Sequence, residues 1–260
     1  MGASGVALAT VISNAVSAFT LFFFLLRHDG PIHLSLRELK IDFKILGRIL
    51  RIGVPAGVQG MAFSLSNICI QSAINSLGAN IMAASSAAFN IEILVYYLIS
   101  ALGQTCTTFV GQNRGAGQYD RCKKTLRLCL LQDIIGAILI GVLILATGRF
   151  TLRIFTKDPV VISYGLIRLR WIVSFEAINA ASEVFSDFMR AYGYSFVPAM
   201  ISLFGICGTR ILWVYTVFPK APTYETLMIV YPISWVVTTV IIIFVYFLKK
   251  KMFLPVKKEA

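Results

Sequence analysis

Forty consecutive residues, from Ile52 to Ile91, carry no charged side chain. Apolar runs of about 20 residues are long enough to cross the roughly 30 Å hydrocarbon core of a bilayer as helices. Several other stretches have the same character, and a soluble domain of 260 residues could not hide so much apolar surface. Composition agrees, at 57% hydrophobic and 14% charged with a mean hydropathy of +0.78. The chain reads as an all-α polytopic membrane protein. Seven transmembrane helices are expected, over Ala3–Leu26, Val54–Leu77, Ile81–Val110, Leu128–Thr147, Tyr164–Met189, Phe196–Phe218 and Thr226–Leu248. They are helices by elimination, because lipid tolerates only helices and closed barrels. Barrel strands alternate in polarity over about ten residues, and these runs do not.

The net charge of +12 is distributed as topology, not as a nucleic-acid surface. With the C-terminus inside, the inner segments hold Arg27, Arg37, Lys40, Lys44, Arg48, Arg51, Arg114, Arg121, Lys123, Lys124, Arg127 and Arg190. They also hold Lys249–Lys251, Lys257 and Lys258. The outer segments hold Arg149, Arg153, Lys157 and Lys220, with Arg168 and Arg170 at a helix mouth. That asymmetry follows the positive-inside rule and predicts a cytoplasmic C-terminus in the cell membrane. Lipid is the expected surrounding partner, and nucleic acid is excluded.

Motif chemistry removes most enzyme classes. The two histidines, His28 and His33, share one loop, so no helix carries a His-based metal or hydrolase site. The five cysteines lack metal or disulfide spacing. Gly111-Gln112-Asn113-Arg114-Gly115-Ala116-Gly117 lacks the Gly-Lys-Ser/Thr ending of a phosphate-binding loop. The run Met1-Gly2-Ala3-Ser4-Gly5-Val6 is not expected to be a signal peptide or a myristoylation signal. Residues 28–52 read as a polar linker with an amphipathic helix. Lys40, Lys44, Arg48 and Arg51 lie on one face of it, and Phe43, Leu46, Ile49 and Leu50 on the other. Pro55 is placed at the very start of the second span, where its missing N–H costs nothing.

Polar groups inside spans are costly and therefore mark function. Glu176, Asn179, Glu183 and Asp187 follow i, i+3, i+7 and i+11, which puts three carboxylates and an amide within one helix face. Glu92 is the only charge in the third span and falls near mid-membrane. Asn67, Gln71 and Asn75, in line with Gly60 and Ser64, form a neutral polar face on the second span, with Gln59 off that face. These eight residues, Glu92, Glu176, Asn179, Glu183, Asp187, Asn67, Gln71 and Asn75, are the candidates for binding a coupling ion or substrate. Arg190 and Arg210 are expected to form structural ion pairs.

The segment Phe109–Gly117 followed by Asp120-Arg121 resembles the cytoplasmic loop of the multidrug and toxic compound extrusion (MATE) family. Three other segments agree in order. Gly53-Val54-Pro55-Ala56-Gly57 opens a helix that continues to Asn75-Ser76-Leu77-Gly78. Met189–Ser195 with Pro198 is similar to the family's Arg-Gly-x-Gly-x-Ser-x-x-Pro turn, and Cys207-Gly208-Thr209-Arg210 with Trp213 also fits. The resemblance implies two six-helix lobes that export cationic or amphipathic compounds against entering Na⁺ or H⁺, with no other cofactor. It implies that residues 1–27 are the last helix of a truncated N-lobe and 28–52 the inter-lobe linker. Residues 53–248 are then a six-helix C-lobe and 249–260 a basic tail, while the rest of the N-lobe is a missing partner. Met1 is then internal to a longer parent, and the 260-residue fragment is expected to be inactive alone. In some members an acidic residue stands where this chain has Asn179, which leaves the ion open. The alternatives are a lipid-linked oligosaccharide flippase of a related family and a non-transporting seven-helix membrane protein.

Overall fold

The structure is a computed structural model and describes residues 3–28, 33–37 and 39–253. The described residues contain helices and no strands. Among the described residues, five helical segments are long and apolar enough to cross a membrane: Ala7–Arg27, Ala79–Gly115, Tyr119–Phe155, Phe196–Lys220 and Tyr224–Lys249. The chain divides into two compact units, Met1–Arg48 and Ile49–Ala260.

The first unit contains α1 (Ala3–Arg27). Its apolar side chains, Val11, Phe19 and Phe23 among them, are exposed. The chain then turns back, and Leu34 N–H bonds to Leu25 C=O at 3.0 Å.

Helix α2 (Phe43–Asn75) starts where Asp42 Oδ1 accepts from the amides of Lys44 at 2.8 Å and Ile45 at 3.2 Å. The amphipathic segment expected in the linker is thus the opening of a 33-residue helix, not a separate one. Pro55 consequently sits inside α2 and not at its start. It removes one backbone bond from the ladder there.

Helices α3 (Ala79–Gly115) and α4 (Tyr119–Phe155) are 37 residues each, or about 55 Å at 1.5 Å per residue. They outrun the spans expected from hydropathy and project beyond the apolar core as helix. A three-residue turn joins them, with Gly117 at φ +70°. Arg114, in the last turn of α3, donates through Nη1 to Ala191 C=O at 3.3 Å and lies 4.8 Å over the Tyr192 ring. The loop motif therefore ties the α3–α4 turn to the next helical hairpin.

The expected span Tyr164–Met189 is two helices, α5 (Pro159–Val173) and α6 (Glu176–Ala191). Asp158 caps α5 through Val160 N–H at 2.8 Å, with Pro159 at the first helical position. Ser174 and Phe175 interrupt the ladder, so neither helix alone is long enough to span. The break puts Glu176 in the first turn of α6, where free amides favour a carboxylate.

The next span is α7 (Phe196–Ser202), a π-helical turn (Leu203–Gly208) and α8 (Thr209–Thr216). A Cβ on Gly205, within the π turn, would collide with Thr238 Oγ1 of α9 (Tyr224–Phe253). The glycine permits that close approach, and the wider π turn re-aims the residues that follow it, Arg210 included.

Three apolar clusters hold the second unit together. Val110, Cys122, Phe188 and Ile242 pack α3, α4, α6 and α9 towards one end. Ile74, Ile206, Leu227 and Trp235 join α2, the π turn and α9 towards the other. Val95, Ile99, Leu152 and Leu169 lock α3 to α4 and α5.

Candidate functional site

Several polar side chains of the second unit line a cavity of about 370 Å³, within the range typical of small-molecule sites. Helices α2, α3, α5, α6, α8 and α9 all contribute to its wall. Glu92, Glu176, Asn179, Glu183 and Asn67 line it, as the sequence pattern anticipates, beside Phe63, Phe89, Tyr96, Tyr231 and Trp235. Carboxylates facing aromatic rings make a surface suited to organic cations.

The acidic face of α6 is graded. Glu176 is buried and accepts from Asn179 Nδ2 at 2.7 Å. Glu183 lines the cavity with no hydrogen bond or ion pair among the described residues. Asp187 lies outside the cavity wall and is bound by Arg190 Nη1 at 2.7 Å. Arg190 Nη2 reaches Gln59 Oε1 at 3.5 Å. Gln59, off the polar face of α2, is buried and meets this pair. Gly103 of α3 packs so closely that a Cβ there would overlap Asp187 Oδ2.

Glu92 is not isolated. Arg168 of α5 donates to it through both Nε, at 2.8 Å, and Nη2, and through Nη1 to Ser85 Oγ at 2.7 Å. The sequence places Arg168 at a helix mouth; the structure buries it inside the bundle at 4% exposure. It lies about 14 Å into α5 at 1.5 Å per residue, level with Glu92. Only the pairing of α3 with α5 brings the two together, and 76 residues separate them in sequence.

Arg210 also departs from its expected role. Among the described residues the ion pairs are Arg168–Glu92, Arg190–Asp187 and Lys123–Asp120. Arg210 belongs to none of them. It donates through Nε to Ser234 Oγ at 3.3 Å and through Nη1 to Asn67 Oδ1 at 3.4 Å, and its guanidinium lies 4.3 Å over the Tyr231 ring. Arg210 and the acidic face of α6 line the same cavity, and no ion pair joins them among the described residues.

The α2 face divides. Asn67 lines both this cavity and a neighbouring one of about 420 Å³, which also holds Gln71. Gln71 Nε2 donates to Asn75 Oδ1 at 2.8 Å, and Asn75 lies outside both cavities. One carboxylate escaped the sequence reading entirely. Asp133 of α4 is fully buried, and neither of its oxygens is hydrogen-bonded among the described residues. A lone acid in an otherwise apolar run has no periodicity to betray it; its position within a span was the available signal.

The MatE family model matches residues 55–216, which include most of the cavity wall. The probable multidrug resistance protein YoeA of Bacillus subtilis (strain 168) is 32% identical over 216 residues, covering 81% of this chain and 46% of that protein. The probable multidrug resistance protein NorM of Thermotoga maritima is 24% identical over 213 residues, covering 81% and 45%. A crystal structure of MATE in complex with MaL6 superposes with a TM-score of 0.85 at 17% identity, covering 96% of this chain and 57% of that one. The chain spans about half the length of the curated relatives it matches. With a family model matched over more than half its length and a relative above 30% identity, the chain is a multi-pass membrane protein that belongs to the MatE family of transporters.

Proposed function

We propose that this chain forms the C-terminal lobe, with the last helix of the N-terminal lobe, of an antiporter that exports cationic or amphipathic compounds in exchange for Na⁺ or H⁺. One observation carries this reading: Glu176 and Glu183 face an aromatic-lined cavity and have no cationic partner within ion-pair distance among the described residues. A carboxylate in such a place is neutralised either by a bound cation or by a proton, so substrate and coupling ion compete for it. That competition is what exchange requires. The α6 carboxylates are the coupling groups in this reading, and Glu92 acts through its pair with Arg168.

Seven spans follow if α2 and the α5–α6 pair cross the bilayer beside the five long apolar helices. The charge asymmetry then puts the protein in the cell membrane with its C-terminus in the cytoplasm. Relatives of about twice the length support a second lobe facing this cavity. Alternating access in repeat-built transporters rocks one half against the other, so the 260-residue chain alone binds but does not pump.

Ethidium binding to the purified chain in nanodiscs tests the reading. Na⁺, or protons at constant ionic strength, should displace the dye competitively; displacement by neither would contradict it. In a version without native cysteines, an impermeant maleimide on intact cells should label Lys220→Cys and not Lys124→Cys.

A further inference from the structure

We propose that Arg210, with Asn67 and Ser234, forms an anion subsite in the cavity, so that the preferred ligand is amphoteric: a carboxylate held by Arg210 and a basic group held by Glu176 and Glu183. This assignment rests on the cavity being the substrate site. It adds a second recognition group of opposite sign.

The argument begins with charge. Seven ionised or ionisable carboxyl and guanidinium groups lie in or beside the cavity, and two pairs cancel. Glu92 is taken by Arg168, and Asp187 by Arg190. Arg210, Glu176 and Glu183 remain, each on the cavity wall. Arg210 is only 4% exposed. A guanidinium so placed needs either water or an anion, because burying an unpaired charge is expensive. Its contacts in the structure are poor substitutes. Both hydrogen bonds are long, at 3.3 and 3.4 Å, and go to neutral oxygens. Glu176 and Glu92 act on it only from beyond ion-pair distance.

Geometry supplies the rest. Arginine carries five donors in a planar fork, and Ser234 and Asn67 use one each. The remaining donors are available to a carboxylate, whose two oxygens match the fork. Tyr231 fixes the guanidinium plane at 4.3 Å, and Ser234 is itself anchored by donating to Tyr231 C=O at 2.7 Å. The fork is thus held in place before any ligand arrives. Asn67, with an amide able to turn its N–H₂ inward, can add a further donor. A purely cationic ligand satisfies the α6 wall and leaves Arg210 facing like charge. An amphoteric ligand satisfies both walls at once.

The test uses two dyes that share one xanthene core. Rhodamine 110 carries a free carboxylate and rhodamine 123 the corresponding methyl ester. Anisotropy titrations of the purified full chain in nanodiscs should show rhodamine 110 binding about tenfold more tightly, as expected for one charge-assisted contact. Arg210→Met should abolish or reverse this preference, and Arg210→Lys should retain part of it. The wild-type comparison stands even if a variant fails to fold. Equal affinities, or tighter binding of rhodamine 123, would overturn the anion subsite while leaving the cation-binding cavity intact. Binding of neither dye would overturn both.

Discussion

Arg168 Nε lies 2.8 Å from Glu92 Oε2, and this two-pronged ion pair joins α5 to α3 inside the bundle. Removing one member leaves the other charged, buried and unpaired, which typically costs about 3–5 kcal/mol. Glu92→Gln should therefore lower the thermal unfolding temperature of the purified chain sharply. Replacing both members with apolar residues of similar volume, Glu92→Leu with Arg168→Met, should recover most of the loss. A single variant as stable as the parent would contradict the pairing. In a complete two-lobe parent transporter, loss of transport in Glu92→Gln is then expected for a structural reason, whatever the ion does.

Gly103 should tolerate no side chain while Asp187 stays in place. A Cβ at that position overlaps Asp187 Oδ2, which must swing away and strain its bond to Arg190. Gly103→Ala should cost about 1–3 kcal/mol, the usual penalty for overpacking. In an Asp187→Ala background the same substitution should be nearly neutral. Chemical or thermal unfolding of the four proteins measures this coupling directly, and additive effects would contradict it.

Asp133 makes the opposite prediction. Its carboxylate is fully buried without a hydrogen-bond partner among the described residues, and Glu183 and Asp187 of α6 add like charge nearby. Removing the charge with Asp133→Asn should raise stability by about 1–3 kcal/mol. The unfolding temperature checks it; a fall would show that the carboxylate has an unrecognised partner that stabilises it.

The five long apolar helices and the acidic face of α6 were legible in the sequence because both are local patterns. Apolar run length identifies helices such as α4 and α9, and spacing of three and four residues aligns Glu176 with Glu183 on one wall. The Arg190–Asp187 pair is local and was expected, but the cation partner of Glu92 was not legible. Arg168 looks like a mouth residue because α5 has already advanced nine residues from its cap before reaching it, and its partner Glu92 lies on another helix. The break at Ser174–Phe175 carries neither proline nor glycine, so hydropathy runs through it without a mark. The π turn at Leu203–Gly208 does carry glycines, but glycine is common within spans and does not mark a π turn. That Arg210 has no ion pair among the described residues depends on how separate helices pack, which no spacing within one chain segment encodes.

The central claim is that substrate cation and coupling ion share the α6 wall. Isothermal titration of ethidium into the chain in nanodiscs, repeated across a series of Na⁺ concentrations and proton activities, tests it most directly. For the native sequence the apparent dissociation constant should rise in proportion to the competing ion. In the Glu176→Gln, Glu183→Gln double variant that dependence should vanish, and ethidium affinity should fall at least tenfold with the two carboxylates gone. Ethidium binding that keeps both its strength and its ion dependence in the double variant would contradict the account.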